Sequence, residues 1–388
     1  MDAFVEAALE DAEDQLSLFQ IGSVPSAYIG GGTPSALGAG RIGRLLSGLG
    51  RLFAGLRSPP SEITVEANPE SAGADFLRAC ASGGATRISL GAQTFSAKSR
   101  GAIGRAGSPA LLERRLALAA RHFPGAFSAD LIAGLPFQTH GILAGDIERL
   151  LAHGPAHASL YSLTLEPETP LGRKALGGGA GAIGLPDRDE ADGLWIAGHQ
   201  MLESAGLAQY EVSSFALPGK ACAHNIRYWN MESWIGIGPA ASSTLIFEGE
   251  GEAPAFGERP SLREATPAQA SPPAARRFAY PGDVAAYLSA PRPRLAIAQA
   301  EALSRSDLMR ESLLMGFRLR SGPDEQIFRR RFGMGIADCI PGAVARWRER
   351  GFFAEGMAPS AKGLLFAGAF LRDAFAELDS AASGGPGA

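Results

Sequence analysis

The sequence predicts an α/β fold in which a mainly parallel sheet is followed by a smaller helical domain. Up to about residue 165, short apolar segments alternate with longer segments that repeat apolar residues at helical spacing. This alternation is typical of parallel sheets with right-handed crossovers. Polar residues stand just after several strands, and such strand ends form the edge at which parallel sheets bind ligands.

The predicted elements follow in order along the chain. An amphipathic helix comes first, and strands then alternate with helices, one of which has Ser108 as its N-cap. The predicted strands are residues 27–29, 63–66, 87–90, 127–132 and 158–165. The predicted helices are residues 2–18, 41–56, 75–82, 109–121, 141–151 and 187–205. Beyond residue 304, short helices are predicted over residues 310–320, 324–332, 341–350 and 362–378.

The composition is that of a globular protein with a large core. The 388 residues are 46% apolar and 20% charged, with a net charge of −4. This balance gives no basic footprint, so no nucleic-acid partner is expected. Apolar runs are too short to span a membrane, and the acidic first residues do not resemble a signal peptide. We therefore expect a cytoplasmic protein.

Composition divides the chain into three parts. Residues 1–245 carry the strand–helix alternation and a segment rich in aromatic residues and glycine. Residues 246–280 are predicted to be a flexible Pro/Ala-rich insertion, since they show little periodicity from Glu248 to Ala275. Residues 281–388 are predicted to form a helical, winged-helix-like domain. Because the chain is acidic, an interaction or lid role is favoured for this domain over DNA binding.

The three cysteines do not form a metal or redox motif. Cys80, Cys222 and Cys339 are 142 and 117 residues apart. Zinc knuckles, redox pairs and iron–sulfur loops need much shorter spacings. We expect buried or incidental thiols, without a disulfide framework.

A glycine turn follows the first predicted strand, in Gly30-Gly31-Gly32-Thr33-Pro34. Glycines there let the backbone adopt positive φ and approach a ligand closely. The segment is neither a P-loop nor a dinucleotide-binding fingerprint. Two interpretations stay open, an ordinary tight turn and a ligand cradle.

Four polar residues near later strand ends are candidate ligand contacts. Glu66 can accept hydrogen bonds from ribose hydroxyls, or it can be a helix cap or surface acid. Gln93 can donate and accept, and Arg105 can pair with a ligand carboxylate, unless it is a solvated charge. Asp130 is the strongest candidate, because a carboxylate within an apolar strand needs a partner.

The segment His224-Asn225-Ile226-Arg227-Tyr228-Trp229 is a second candidate site. His224 offers an axial ligand for an iron porphyrin, while Tyr228 and Trp229 offer flat aromatic surface. The alternative is an aromatic core with one satisfied histidine. The other five histidines show no partner pattern and are expected to be solvated or structural.

Taken in order, these motifs resemble the oxygen-independent coproporphyrinogen III oxidase-like radical SAM family, in particular its haem-chaperone branch. The resemblance covers the chain apart from the insertion. Beyond the glycine turn, its motifs are Glu66-Ala67-Asn68-Pro69, residues 89–95, residues 130–139, Tyr161-Ser162-Leu163 with Glu166-Pro167, residues 210–215 and residues 224–229. The His-Asn-x-x-Tyr-Trp motif points to the chaperone branch.

The resemblance implies a partial (β/α)6 barrel, a helical C-terminal domain, S-adenosylmethionine (SAM), a 4Fe-4S cluster and haem. It assigns Gly31, Gly32 and Thr33 to the amino end of the methionine part of SAM. It also assigns Glu66, Gln93, Arg105 and Asp130 to the SAM site, and His224, Tyr228 and Trp229 to the haem region. Haem-accepting proteins, including those of the respiratory chain and its membrane, are the implied partners.

Two departures from the family pattern stand out. Family members begin with a strand and a Cys-x-x-x-Cys-x-x-Cys loop that binds the cluster, whereas this sequence begins in the following helix. The barrel is therefore expected to lack its first strand, and no metal ligands are assigned. We expect an incomplete gene model, with a cluster-free relative as the alternative. Ser242 also stands where the family commonly has a histidine.

Three functions follow from the sequence. A haem chaperone whose working form carries the cluster loop is favoured. A binding protein that keeps the SAM or haem surface without the cluster is the second. An active coproporphyrinogen III oxidase in porphyrin biosynthesis is the alternative that the chaperone motif disfavours.

Overall fold

The structure is a computed structural model that describes residues 1–178, 183–247 and 274–383. These residues form two compact units. The sheet unit comprises Ser23–Cys222 with Met1, and the C-terminal unit comprises Asp2–Gly22 with Ala223–Ala388. Most of the predicted insertion, residues 248–273, lies outside the described residues. Within the described ranges, no helix combines the length and apolarity that a membrane span requires.

Strands and helices alternate through the first half of the chain. The strands are β1 (Ser26–Ile29), β2 (Glu62–Ala67), β3 (Arg87–Gln93), β4 (Phe127–Ala133), β5 (His157–Ser162), β6 (Ala208–Gln209), β7 (Ser214–Ala216), β8 (Ser242–Ile246), β9 (Ala275–Ala279), β10 (Gln299–Leu303), β11 (Phe353–Glu355) and β12 (Ala358–Pro359). The helices are α1 (Asp2–Leu18), α2 (Gly38–Ala54), α3 (Ala74–Ser82), α4 (Ala97–Ala102), α5 (Pro109–His122), α6 (His140–Leu151), α7 (Pro170–Gly178), α8 (Arg188–Ser204), α9 (Ala223–Trp229), α10 (Val284–Ser289), α11 (Arg305–Gly316), α12 (Glu325–Phe332), α13 (Ile336–Cys339), α14 (Pro341–Glu349), α15 (Ala361–Leu365) and α16 (Ala367–Ser383).

The sheet unit is built on a seven-stranded sheet in the order β1-β2-β3-β4-β5-β7-β6. Strands β1 to β5 are parallel neighbours in chain order, and β7 joins β5 in antiparallel orientation. Strand β1 lies at the edge of the sheet. The predicted α/β fold with a parallel sheet is confirmed.

The two faces of this sheet differ in polarity, because side chains alternate between faces along each strand. One face is apolar, and Val65, Ile88 and Leu160 on it are fully buried. The other face carries a paired row of polar residues across four strands: Glu66, Ser89, Ser128 and His157. The next row along β4 and β5 pairs Asp130 with Ser159. This polar face extends to the carboxyl ends of the strands, and there it positions the candidate site.

The C-terminal unit combines a three-stranded antiparallel sheet with helices. Its sheet has the order β10-β9-β8, and β11 and β12 form a separate hairpin. The helix α1 belongs to this unit, where the buried carboxylate of Asp11 accepts hydrogen bonds from Tyr280 Oη at 2.7 Å and Tyr287 Oη at 2.8 Å. The helical core contains the fully buried rings of Phe317 and Phe370, 4.7 Å apart.

The structure differs from the sequence predictions in several places. The predicted boundary at residue 245 separates α1 from the C-terminal unit, whereas the structure groups them. Residues 275–279 of the predicted insertion form β9, where Ala275 and Phe278 are buried. The predicted helix over 362–378 is two helices, α15 and α16, interrupted at Phe366. Strand β5 ends at Ser162, three residues before the predicted end.

Candidate functional site

The glycine turn after β1 adopts a conformation that only glycine takes readily. Gly31 and Gly32 have φ of +76° and +61°. No atom lies within 4 Å of the position that a Cβ would occupy at either residue. Thr33 is exposed, and its hydroxyl makes no capping bond to the 3-10 turn at Pro34–Leu37. The turn therefore presents exposed backbone and a hydroxyl beside open space, which suits a ligand cradle.

Glu66 is held beside this turn by two donors. Tyr28 donates its hydroxyl to Glu66 Oε1 at 2.7 Å, and the Gly31 backbone N–H donates to Glu66 Oε2 at 3.3 Å. A side chain at Gly30 would collide with both residues, since its Cβ would lie 2.7 Å from the Tyr28 ring. Burial, followed by the charge of Glu66, raises the pKa of Tyr28. Carboxylate oxygens accept more than one bond each, so Glu66 keeps acceptor capacity toward a ligand.

Gln93 and Arg105 lie together above Gly91. A Cβ at Gly91 would stand 2.9 Å from Gln93 Nε2 and 3.8 Å from an Arg105 guanidinium nitrogen. Gln93 has a positive φ of +67° at a register shift between β3 and β4. Its Oε1 is buried without a hydrogen-bond partner among the described residues. A strained residue with an unpartnered amide oxygen is the pattern expected at a binding position.

Asp130 occupies the polar face of β4 and is half-buried. Burial raises its pKa to about 6, and hydrogen bonds from Ser159 and Ser89 and the charge of Arg87 partly oppose that rise. The negative charge of Glu66 raises it further. The partner expected for a carboxylate in an apolar strand is thus a pair of serine hydroxyls from the neighbouring strands.

Two buried charges that sequence analysis missed, Arg100 and Asp146, hold the loop after β3. Arg100 is 2% exposed and donates to the backbone oxygens of Ala92, Thr94 and Gly107 at 3.0, 3.1 and 2.7 Å. It also pairs with Glu70 at 3.3 Å. Neither Arg100 nor Asp146 stands in a sequence pattern that signals burial, so the sequence offered no signal for them.

Asp146 fixes the same loop from the side of α6. Its carboxylate accepts the Thr94 hydroxyl at 2.6 Å and the Phe95 backbone N–H at 2.7 Å. Asp146 is 2% exposed, and burial raises its pKa. The loop that follows Gln93 and leads to Arg105 is therefore fixed from both sides.

The second candidate site lies on α9 in the C-terminal unit. His224 and Tyr228 are four residues apart and so share one face of this helix. Tyr228 is 40% exposed, and its ring lies 4.8 Å from that of Trp234 and 5.9 Å from that of Trp229. The Arg318 guanidinium lies 5.1 Å from the Trp229 ring, whose Nε1 is buried without a partner in the described residues. Ser242 is exposed, and its backbone oxygen accepts from Trp234 Nε1 at 3.0 Å.

Curated relatives match much of the chain. Heme chaperone HemW of Escherichia coli (strain K12) is 35% identical over 246 residues, which cover 63% of this chain and 63% of the relative. Heme chaperone HemW of Lactococcus lactis is 30% identical over 332 residues, covering 86% of this chain and 78% of the relative. The chain belongs to the HemW family.

A further relative and a solved structure also match the chain. A bovine relative, radical S-adenosyl methionine domain-containing protein 1, is 36% identical over 251 residues, 63% of this chain and 56% of the relative. The chain spans less than two thirds of the Escherichia coli and bovine relatives. A structure of coproporphyrinogen III oxidase (HemN) from Escherichia coli matches with a TM-score of 0.70 over 96% of this chain and 82% of that one. At 19% identity this match shows the fold alone. No family model matches.

HemW-family membership implies SAM and a 4Fe-4S cluster, and the described residues fit these two groups differently. The open glycine turn, the unpartnered oxygen of Gln93 and the guanidinium of Arg105 suit a ligand with amino, carboxylate and hydroxyl groups, such as SAM. The cluster does not fit the described residues. Cys80 and Cys222 are buried singly, and no three His, Cys, Asp or Glu side chains there are grouped as metal ligands.

Proposed function

We propose that this HemW-family chain is a haem chaperone that binds haem through α9 and its surroundings and binds SAM at the carboxyl ends of β1 to β4. The observation that carries the haem proposal is the face of α9, on which His224 and Tyr228 lie one turn apart. Imidazole is a common axial ligand of haem iron, and aromatic rings pack against porphyrin faces.

A charge beside α9 suits a haem as well. The Arg318 guanidinium stands over the Trp229 ring. The propionates of haem are carboxylates, and arginine is the side chain best suited to pair with them. The relatives' printed name, heme chaperone, describes the same ligand for those proteins.

The proposed SAM site assigns separate roles to its residues. Arg105 pairs with the SAM carboxylate, and the exposed backbone at Gly31 and Gly32 with the Thr33 hydroxyl accepts the methionine end. Glu66 and Gln93 bind hydroxyl and amino groups, while Asp130 lies deeper on the polar face. No reaction step is proposed through the cluster, because the described residues do not provide its ligands.

We further propose that the protein works in the cytoplasm and passes haem to haem-accepting proteins, including those of the respiratory chain at the membrane. The likeness to HemN does not favour oxidase activity, since at 19% identity it concerns the fold.

One preparation can test chaperone against oxidase function. The haem-loaded full chain is mixed with apomyoglobin while the Soret band is followed, and the same preparation is assayed anaerobically with coproporphyrinogen III. A chaperone gives transfer of haem to apomyoglobin and no consumption of coproporphyrinogen. Consumption of coproporphyrinogen without haem transfer would contradict the proposal.

A further inference from the structure

A buried arginine that forms no ion pair with a described carboxylate begins a strand at the amino-terminal end of the sheet, although its charge also acts on Asp130. Arg87 begins β3, on the polar face, and is 8% exposed. Its Nη1 is buried and has no hydrogen-bond partner among the described residues, and no ion pair joins its guanidinium to a described carboxylate. A buried charge without a direct ion pair is costly, so such groups are normally paired with a counter-charge.

Arg87 faces a cavity of about 150 Å³ at the amino-terminal mouth of the sheet. A water molecule needs about 10–15 Å³ of such space, so the cavity is large enough for several waters or one small polyatomic ion. The buried floor includes Arg87, Phe127 and His157, while Gly125 and Lys220 are on the exposed rim. The cavity therefore opens to solvent on one side and is bounded by Arg87 on the other.

The other groups around the cavity leave it with a positive balance. His157 is neutral near pH 7, because burial, followed by the charge of Arg87, holds its pKa well below the usual range. Its two ring nitrogens are already engaged by Ser128 Oγ at 2.7 Å and Tyr210 Oη at 2.9 Å.

The charged side chains that line the cavity are those of Glu62, Lys220 and Arg87. Glu62 lines it and accepts the Cys222 thiol at 3.3 Å. Lys220 adds a positive charge at the rim, with its Nζ 3.9 Å from the Cβ position of Gly125. The side chains that line the cavity thus carry two cations and one carboxylate, and Asp130, whose charge also acts on Arg87, lies outside the lining.

We propose that this cavity binds a small oxyanion, with the chemistry of phosphate or a short carboxylate, between Arg87 and Lys220. The planar guanidinium offers paired N–H donors that match two oxygens of such an anion, and the ammonium adds a point charge at the entrance. The residues that line the cavity are not among the proposed SAM and haem contacts, and the proposal does not rest on those assignments.

The test measures thermal unfolding and calorimetric binding of the full chain in buffer free of phosphate and sulfate. Sodium phosphate and sodium acetate are compared with sodium chloride at equal ionic strength. Saturable stabilisation by at least one oxyanion, without a matching effect of chloride, is expected. Arg87→Met should weaken oxyanion binding about tenfold or more. Lys220→Gln should weaken it only about threefold, because its charge is exposed.

Two control variants locate the effect. Arg78→Met, in an exposed pair with Asp75, should keep the oxyanion response. Arg105→Met should keep it too, because Arg105 lies at the other end of β3. The proposal is overturned if Arg87→Met retains the wild-type response, if Arg105→Met abolishes it, or if chloride reproduces it. Should Arg87→Met fail to fold, unchanged calorimetric affinity in Lys220→Gln would overturn the proposal, and weakened affinity would support it.

Discussion

At the scale of single residues, Asp130 shows how the fold sets a protonation state. Its carboxyl group has a pKa of about 6 in the folded chain, mainly through burial. An unfolded aspartate titrates near pH 3.9. Between about pH 4 and pH 6 the folded state therefore binds more protons than the unfolded state, and this residue's contribution to stability falls as the pH rises. About one pH unit above the folded pKa, the contribution becomes constant.

Replacing Asp130 by Asn removes this titration. The free energy of unfolding of the wild type, relative to Asp130→Asn, should decrease as the pH rises from 4.5 to about 7 and then level off. The slope should be no more than about 1.4 kcal/mol per pH unit. Urea unfolding of both proteins at pH 4.5, 5.5, 6.5 and 7.5 measures this difference in the free energy of unfolding. Curves that stay parallel across this range would show that Asp130 titrates normally.

Sequence reasoning could identify Asp130 but not Arg87. A carboxylate within an apolar strand signals a special environment, whereas an arginine at a strand start is usually exposed. The burial of Arg87 depends on how β3 packs between β2 and β4 and on Lys220 reaching the same mouth. Both contacts are long-range, so no local pattern in the sequence reports them.

At the scale of elements, the loop between β3 and α5 depends on Arg100. This side chain joins the backbone after β3 to Glu70 and to Gly107, and so fixes the path of the chain on either side of Arg105. Removing a buried charge from such a network leaves its partners unsatisfied.

Arg100→Met should lower the free energy of unfolding by roughly 3 kcal/mol, because Glu70 and three backbone oxygens lose their donor. The matched control is Arg78→Met, which removes an exposed pair with Asp75 and should cost less than about 1 kcal/mol. Urea unfolding of both variants measures the difference. Equal losses would mean that the Arg100 network does not stabilise the loop.

Strand positions were predicted well because their signal is local. The starts of β3 and β4 match the prediction, as does Ser108, whose hydroxyl accepts from the Leu111 N–H to cap α5. The end of β5 was placed too late, since apolar residues continue after Ser162 although the strand does not. Periodicity predicts that an element exists but not which neighbour ends it.

At the scale of the whole molecule, the sequence predicted the α/β architecture but not the grouping of α1. Its amphipathic pattern predicts a helix without saying which surface covers it. Asp11 meets Tyr280 and Tyr287, which lie 269 and 276 residues further along the chain. Arg294 pairs with Glu10 at 2.8 Å in the same unit. These partners come from distant segments, and no local pattern links them to α1.

The central claim is that a HemW-family chain binds haem through His224, and haem titration tests it most directly. Haem is added to the wild type, to His224→Ala and to His140→Ala, whose histidine is exposed at the start of α6. The wild type and His140→Ala should give the same saturable Soret shift. His224→Ala should give a blue-shifted band or a weaker affinity, by roughly tenfold for a lost axial bond. Identical titrations for all three proteins would contradict the claim.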